Sequence, residues 1–460
     1  MDSPGSGSLE AGCVMGVEPA ARARLRPFRG DVVEITPAGQ VELSLMAPAS
    51  KSMTNRLLVM AALARGDSTL FGPLVSSDTE AMVSGLAKLG VIVQREAGSW
   101  RLSGGSGGIS GPAGVIDAGL SGTTLRFLAA VASLGGPTVV IDGSEPLRRR
   151  PIAGLANALE ALGASVALEN GRLPMKITSA GIDGGRVEID AQASSQFASA
   201  ILLVAPYAKR DVSLFLHGLG SPGYVDLTVD AMQRWGASVE VRSERHGTQE
   251  PWEIFVSSRE HYAARSEIIE YDASAAAHLF ALGMAAGGRV RVTNASTTSL
   301  QPDARILDVM GEMGADVSIA PAGGVMLERL GPLRSVDVDL SAMPDQVSTV
   351  AVLASLAEGE SRISNVAVSR GHETDRLSAT ARELSRLGAD ISELADGLVI
   401  RGGKALHGCR VNTYGDHRMA MAFAALGTVV PGVQIADPGC VAKTYPQFWD
   451  DIAKAGVALR

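Results

Sequence analysis

A helix-stop pattern recurs six times along the 460 residues: an apolar residue, two variable positions, a second apolar or small residue, Gly, then a short run of alternating polarity. The copies are LAKLGVIV from Leu86, LEALGASV from Leu159, MQRWGASV from Met232, MGEMGADV from Met310, LSRLGADI from Leu384 and IAKAGVAL from Ile452. Successive starts lie 73, 73, 78, 74 and 68 residues apart. One copy would be an ordinary helix end, whereas six at near-constant spacing mark an internal repeat. Each reads as a helix closed by Gly at its C-cap and followed by a strand. A second strand follows a turn in LPMKITS (173–179), WEIFVSS (252–258), GVMLER (324–329) and GLVIRG (397–402). Six α/β units divide three and three into two similar lobes better than they close into a single barrel. Paired lobes hold a ligand between them, and their closure excludes water.

Composition narrows the ligand. Apolar residues at 46% against charged residues at 20%, with 53 Gly, exclude wholesale disorder and indicate a turn-rich globular protein. Aromatics, at 4%, are too scarce for base-stacking platforms, and a net charge of −8 from 41 basic and 49 acidic residues makes no global field for a polyanion. No nucleic acid partner is expected, and any bound anion must be small and locally gripped. Cys13, Cys409 and Cys440 are too few and too scattered for a disulfide framework or a zinc site, which predicts a reducing compartment. The richest apolar stretches are broken by Arg126, by Gly-Pro pairs or by Gly283 and Gly287, so no membrane span is expected. Residues 1–29 lack the apolar segment of a secretory signal and read as a mobile extension, which leaves the cytoplasm as the expected location.

Cations and hydroxyls recur at helix starts. In APASKSMTNRLLVMAALA (47–64), Lys51, Ser52 and Arg56 gather where free N–H groups and the helix dipole favour an anion. DAGLSGTTLRFLAA (117–130) opens a helix with Gly122 and Thr123, allowing close backbone approach, with Arg126 one turn on. LRRRPI (147–152) sets Arg150 before Pro151 at a helix start, and ASSQFASAILL (193–203) offers Ser194, Ser195 and Gln196. The C-terminal half adds RGHETDR (370–376) with Glu373 and Arg376, GDHRMAMAFAAL (415–426) with Arg418, AKTYPQFW (442–449) with Lys443, and MPDQVSTVAVLAS (343–355) with Asp345. Taken singly, these are ordinary caps and solvated charges. Together, Lys51, Arg56, Arg126, Arg150, Arg376, Arg418 and Lys443 would make one focused positive site suited to phosphorylated acids, with Asp345 and Glu373 available for general acid–base work.

At these motifs, in this order and spacing over roughly residues 30–460, the chain resembles the enolpyruvyl transferases, and among them the branch that acts on shikimate 3-phosphate. The resemblance implies an α/β fold of two lobes, an inside-out α/β barrel in which each lobe holds three βαβαββ units. One lobe would run over 48–265 and the other over 30–47 plus 266–460, with the active site in the cleft between them. It implies transfer of the enolpyruvyl group of phosphoenolpyruvate to the 5-hydroxyl of shikimate 3-phosphate with release of phosphate, the shikimate-pathway step toward chorismate and the aromatic amino acids. No metal or organic cofactor is implied, and a monomer is expected. The positions matching the phosphoenolpyruvate ligands are Lys51, Gly122, Arg150, Gln196, Glu373, Arg376, Arg418 and Lys443. Those matching the shikimate 3-phosphate side are Lys51, Ser52, Arg56, Thr123, Ser194, Ser195, Gln196, Ser221, Tyr224, Asp345 and His372, with Arg126 in support. Asp345 would accept the hydroxyl proton, while Lys51 and Glu373 would protonate and then deprotonate the methylene carbon.

Three positions depart from the usual family pattern: Leu120 and Val368 replace Asn, and His372 replaces Lys. They lie on the acceptor side, which leaves open a paralogue acting on a different shikimate-like hydroxyl. The related transferases acting on a UDP-sugar use a cysteine near the third motif, and residues 121–160 contain none. A two-lobed anion-binding protein without activity would leave Asp345 and Glu373 unused. Glycine at position 122 predicts an open donor pocket and, with it, inhibition by glyphosate.

Overall fold

The computed structural model describes residues 30–460 apart from 112–113, 193, 219–221, 243–251 and 455. The extension over 1–29 lies outside the described residues, as does Ser221.

Six helices are apolar on nearly every side: Lys51–Leu63, Gly122–Ala132, Ser195–Val204, Ala273–Ala286, Val347–Leu356 and His417–Gly427. A helix without a polar face must be surrounded by protein. These inner helices form the centres of two separate hydrophobic cores, one drawn from Met53 to Ile269 and the other from Val33 to Ala47 together with Tyr271 to Val457. Six further helices, Ser77–Lys88, Ala153–Ala161, Gly223–Arg234, Ile306–Glu312, Arg376–Arg386 and Phe448–Lys454, carry the repeated stop. The glycines after them (Gly90, Gly163, Gly236, Gly314, Gly388 and Gly456) all have φ between +79° and +109°, a conformation that costs a side-chain-bearing residue energy.

Each unit contributes a small sheet. In the second unit Gly114–Asp117 runs parallel to Val139–Asp142, which pairs antiparallel with Arg172–Thr178, itself paired antiparallel with Ser165–Glu169. The third and fifth units repeat this order from their own segments. The other three borrow a strand from far along the chain. Ser266–Ile268 joins Arg65–Phe71, and Val41–Leu45 joins Gly288–Val292. In the sixth sheet Val32–Ile35 lies antiparallel to Val433–Ala436, where the repeat would place a strand after the last stop. Near Leu459 only a bridge to Ile35 forms. The Ser266–Ile268 strand and Ile269 belong with the first core, so the second resumes at Tyr271, a few residues beyond the 265/266 division drawn from the sequence. The two crossings between cores run side by side, with Ala49 bridged to Tyr271.

Two glycines show how tightly inner helices and sheets approach. A Cβ on Gly104 would sit 2.1 Å from the carbonyl oxygen of Ala64, and one on Gly402 only 1.9 Å from that of Ala357, in equivalent places of the first and fifth units. Gly402→Ala is therefore expected to destabilise the fold by about 1–3 kcal/mol or more, as overpacking does. Gly311→Ala, on an outer helix with open space at the same distance, is expected to be neutral or stabilising by a few tenths. Urea unfolding of both variants checks this; equal midpoints would contradict it.

Candidate active site

The inner helices begin at one cleft. Ser50, Ser121, Ser194, Asp272 and Asp416 cap five of them, each side chain accepting one N–H of the first turn, and the sixth opens from the short turn Pro344–Gln346. Capping satisfies one donor per helix, so each end keeps free N–H groups and the positive end of its dipole. Residues from all six helix starts line a cleft between the two cores. Asp272 links them directly: one oxygen caps its own helix at Ala275 N (2.9 Å), and the other accepts the backbone N–H of Lys51 at 3.0 Å.

Among the lining residues six cations, Lys51, Arg56, Arg126, Arg150, Arg376 and Arg418, face three carboxylates, Asp272, Asp345 and Glu373. The two cores treat their cations differently. On the first core Arg56 is buried without a carboxylate, donating instead to Thr228 Oγ1, Ser52 O, Ser199 Oγ and Tyr224 O at 2.8–3.1 Å, and burial pushes its pKa down to about 10. Arg126 donates to Gln196 Oε1 at 2.6 Å and to Pro151 O at 3.3 Å; burial and the neighbouring charge of Arg150 hold its pKa well below the usual value. A bound anion would relieve both. Arg150 reaches across to Glu373 Oε1 at 3.6 Å, and Lys51 Nζ lies 3.4 Å from Asp78 Oδ2.

On the second core Arg376, Arg418 and Lys443 are each paired with a carboxylate. Arg376, 1% exposed, donates to Asp416 Oδ2 at 2.7 Å, Asp345 Oδ1 at 2.5 Å and Glu373 Oε2 at 2.7 Å. Arg418 donates to Asp345 Oδ2 at 2.8 Å, and Lys443 to Glu373 Oε1. Burial alone would raise the pKa of both carboxyls. The charges of Arg418 and Arg376 outweigh it at Asp345, and those of Lys443, Arg376 and Arg150 at Glu373, holding both well below the carboxylate range. His372 lies 3.2 Å from Asp345 Oδ1, and burial lowers its pKa below the ordinary value despite that carboxylate. It is a neutral imidazole at pH 7, where a lysine would be a cation.

The structure thus gathers Ser52, Thr123, Ser194, Ser195, Gln196 and Tyr224 with these charges along one cleft, and Val368 borders it too. Gly122 stands so close that a Cβ there would lie 2.7 Å from Arg126 Nη1 and 2.9 Å from Arg150 Nη1. Leu120 is 43% exposed on the turn before Ser121. Sequence reasoning missed Asp272, Asp78 and Asp303. Asp272 carried a signal, an acidic cap before an apolar helix; Asp78 and Asp303 carried none. Asp303 lies buried behind Arg418, accepting from Ser274 Oγ and from Gln346 Nε2 at 3.1 Å, and burial lifts its pKa to about 6.

Residues 35–452 match the sequence profile of the EPSP synthase (3-phosphoshikimate 1-carboxyvinyltransferase) family. The chain belongs to the EPSP synthase family. Among relatives of that family, the 3-phosphoshikimate 1-carboxyvinyltransferase of Methanoculleus marisnigri is 41% identical over 430 residues, covering 93% of this chain and 100% of its own. That of Syntrophobacter fumaroxidans is 40% identical over 424 residues, covering 91% and 98%. The solved structure of EPSP synthase from Acinetobacter baumannii superposes with a TM-score of 0.77 at 23% identity, covering 93% of this chain and 99% of the other. The mixed α/β fold with six small sheets is therefore the EPSP synthase fold. No helix among the described residues is long and apolar enough to cross a membrane.

In this EPSP synthase family member Arg376 is the single counter-ion that three carboxylates share. Arg376→Ala leaves the fully buried Asp416 without its guanidinium and takes one cation each from Asp345, which keeps Arg418, and Glu373, which keeps Lys443; it is expected to cost about 3–5 kcal/mol of stability, measured by urea unfolding at neutral pH. The pH dependence has a definite sign. Asp345 and Glu373 titrate lower when folded, so the stability they contribute is complete above about pH 4 and drains as pH falls through their depressed values. Wild-type midpoints measured from about pH 7 down to about pH 3 should fall at the acid end, and less steeply in Arg376→Ala.

Proposed function

We propose that the cleft transfers the enolpyruvyl group of phosphoenolpyruvate to the 5-hydroxyl of shikimate 3-phosphate, releasing phosphate. One observation carries the reading: six helix N-termini and an excess of buried cations converge on one cleft, in a chain of this family. The two substrates bring two phosphates and two carboxylates, which repel each other in water and find preorganised opposite charge here.

In this assignment Lys51, Gly122, Arg150 and Gln196 from the first core meet Glu373, Arg376, Arg418 and Lys443 from the second around phosphoenolpyruvate. Ser52, Arg56, Thr123, Ser194, Ser195, Tyr224 and Asp345 hold shikimate 3-phosphate, with Ser221 and His372 beside it and Arg126 behind. The pKa directions sort the acid–base roles. Asp345, kept ionised, takes the hydroxyl proton as the oxygen bonds to C2 of phosphoenolpyruvate. Lys51 protonates C3, and Glu373, also kept ionised, removes that proton as the C2–O bond to phosphate breaks. The two cores act as lobes that close on the substrates, and Arg150 meeting Glu373 across the cleft is the contact that supports closure. Cys409 and Cys440, both free, fit a cytoplasmic enzyme.

The test is phosphate release from phosphoenolpyruvate with shikimate 3-phosphate as acceptor. Absence of release at every pH between about 6 and 9 would overturn the reading. Lys51→Met and Asp345→Ala are each expected to lower kcat by about 100-fold or more while unfolding midpoints show a folded protein. Gly122→Ala, whose new methyl pushes on two guanidiniums, is expected to raise KM for phosphoenolpyruvate and the glyphosate concentration needed to inhibit, leaving KM for shikimate 3-phosphate nearly unchanged.

A further inference from the structure

We propose that His372 relays the acceptor hydroxyl's proton from Asp345 to water outside the cleft. The inference rests on the reaction assigned above and concerns where the proton goes next. Asp345 is a poor resting place for it. Arg376 Nη1 holds one carboxylate oxygen at 2.5 Å and Arg418 Nη2 the other at 2.8 Å, so a protonated Asp345 is a strong acid. Of the side chains in contact with that carboxylate, the two guanidiniums only donate and cannot accept a proton. His372, with Nδ1 at 3.2 Å from Oδ1, has a lone pair to offer.

Its placement connects two spaces. With Gly371, Glu373 and Arg150, His372 lines the active cleft and also a second, solvent-open pocket between Pro146–Pro151 and the segment 370–375, which Tyr414 also lines. The imidazole is part of the wall between them. Arg376 Nη1 also lies 3.0 Å from Nδ1. In the tautomer with its proton on Nε2, the one Nδ1 lone pair faces both Arg376 Nη1 and Asp345 Oδ1, and it takes the Asp345 proton by giving up its contact with Arg376. The groups facing the ring are Asp345 and Glu373, which favour its charged form, and Arg376, which opposes it; burial opposes it most, so the ring is neutral and able to accept at pH 7. Arg149, Arg370 and Asp375 line the outer cavity.

The steps balance. The 5-hydroxyl O–H bond breaks as the C–O bond to phosphoenolpyruvate forms, leaving the proton on Asp345. The Asp345 O–H bond then breaks as Nδ1–H forms, giving imidazolium. The imidazolium loses a proton to water in the outer cavity, and the neutral ring exchanges back to its starting tautomer.

The experiment measures phosphate release by the full chain as wild type, His372→Gln and His372→Ala, with pH profiles, solvent deuterium isotope effects and added imidazole. The relay predicts a kcat about 100-fold lower in His372→Gln, KM for shikimate 3-phosphate changed by less than about 3-fold, and a larger solvent isotope effect on kcat. It predicts that imidazole restores turnover in His372→Ala in proportion to its free-base fraction. A raised KM at unchanged kcat, or no rescue by imidazole in a folded His372→Ala, would overturn it. If the wild type itself releases no phosphate, the reaction assignment falls and the relay with it.

Discussion

Six helices with no polar side set the terms for the rest of this molecule. Such helices cannot lie on a surface, so each must be enclosed, and three together leave room around them only for the small sheets and outer helices of their own units. Close approach is bought with glycine where a sheet crosses a helix end, at Gly104 and Gly402. Enclosure on the flanks leaves helix ends as the only openings. Polar residues of these helices therefore gather at their N-termini, and pairing of the crossings beside Ala49 and Tyr271 turns the two sets toward each other.

Charge follows from that geometry. Helix starts offer unpaired N–H groups on both sides, but the two cores balance them differently. The second core surrounds Arg376 with Asp345, Glu373 and Asp416 and sets Arg418 and Lys443 against the first two. The first core holds Arg56 and Arg126 among neutral partners only, with depressed pKa values that record the cost. Across the cleft Glu373 lies 3.6 Å from Arg150, and among the described residues Arg56 and Arg126 have no carboxylate within ion-pair distance. An overall charge of −8 is no guide to this, because an average over the surface says nothing about a water-poor cleft.

The repeat was legible because its signal is local. LxxLG stops predicted helix ends to within one residue, the C-cap falling just before the glycine in the first five, a residue that takes the left-handed backbone at least cost. The strands after four of the stops were readable too, Arg172–Thr178 and Trp252–Val256 from alternation and Leu398–Arg401 as a short apolar run. Borrowed strands were not, for Val32–Ile35 and Val433–Ala436 pair across some 400 positions and neither carries a mark of its partner. The same holds in the site. Lys51, Arg126 and Arg418 announced themselves at helix starts, whereas Asp78 and Asp303 are ordinary acids until folding sets them beside Lys51 and Arg418.

By itself, then, the sequence determined the unit, its count and the kind of residue at each helix start, all properties of neighbours within a few turns of chain. Only the tertiary structure decided which starts meet, which carboxylate pairs with which guanidinium, and that burial lowers the pKa of His372 beside Asp345. The reason is physical: backbone conformation follows from local sterics, while the ionisation of a side chain is set by burial and by charges that long-range packing alone brings within reach.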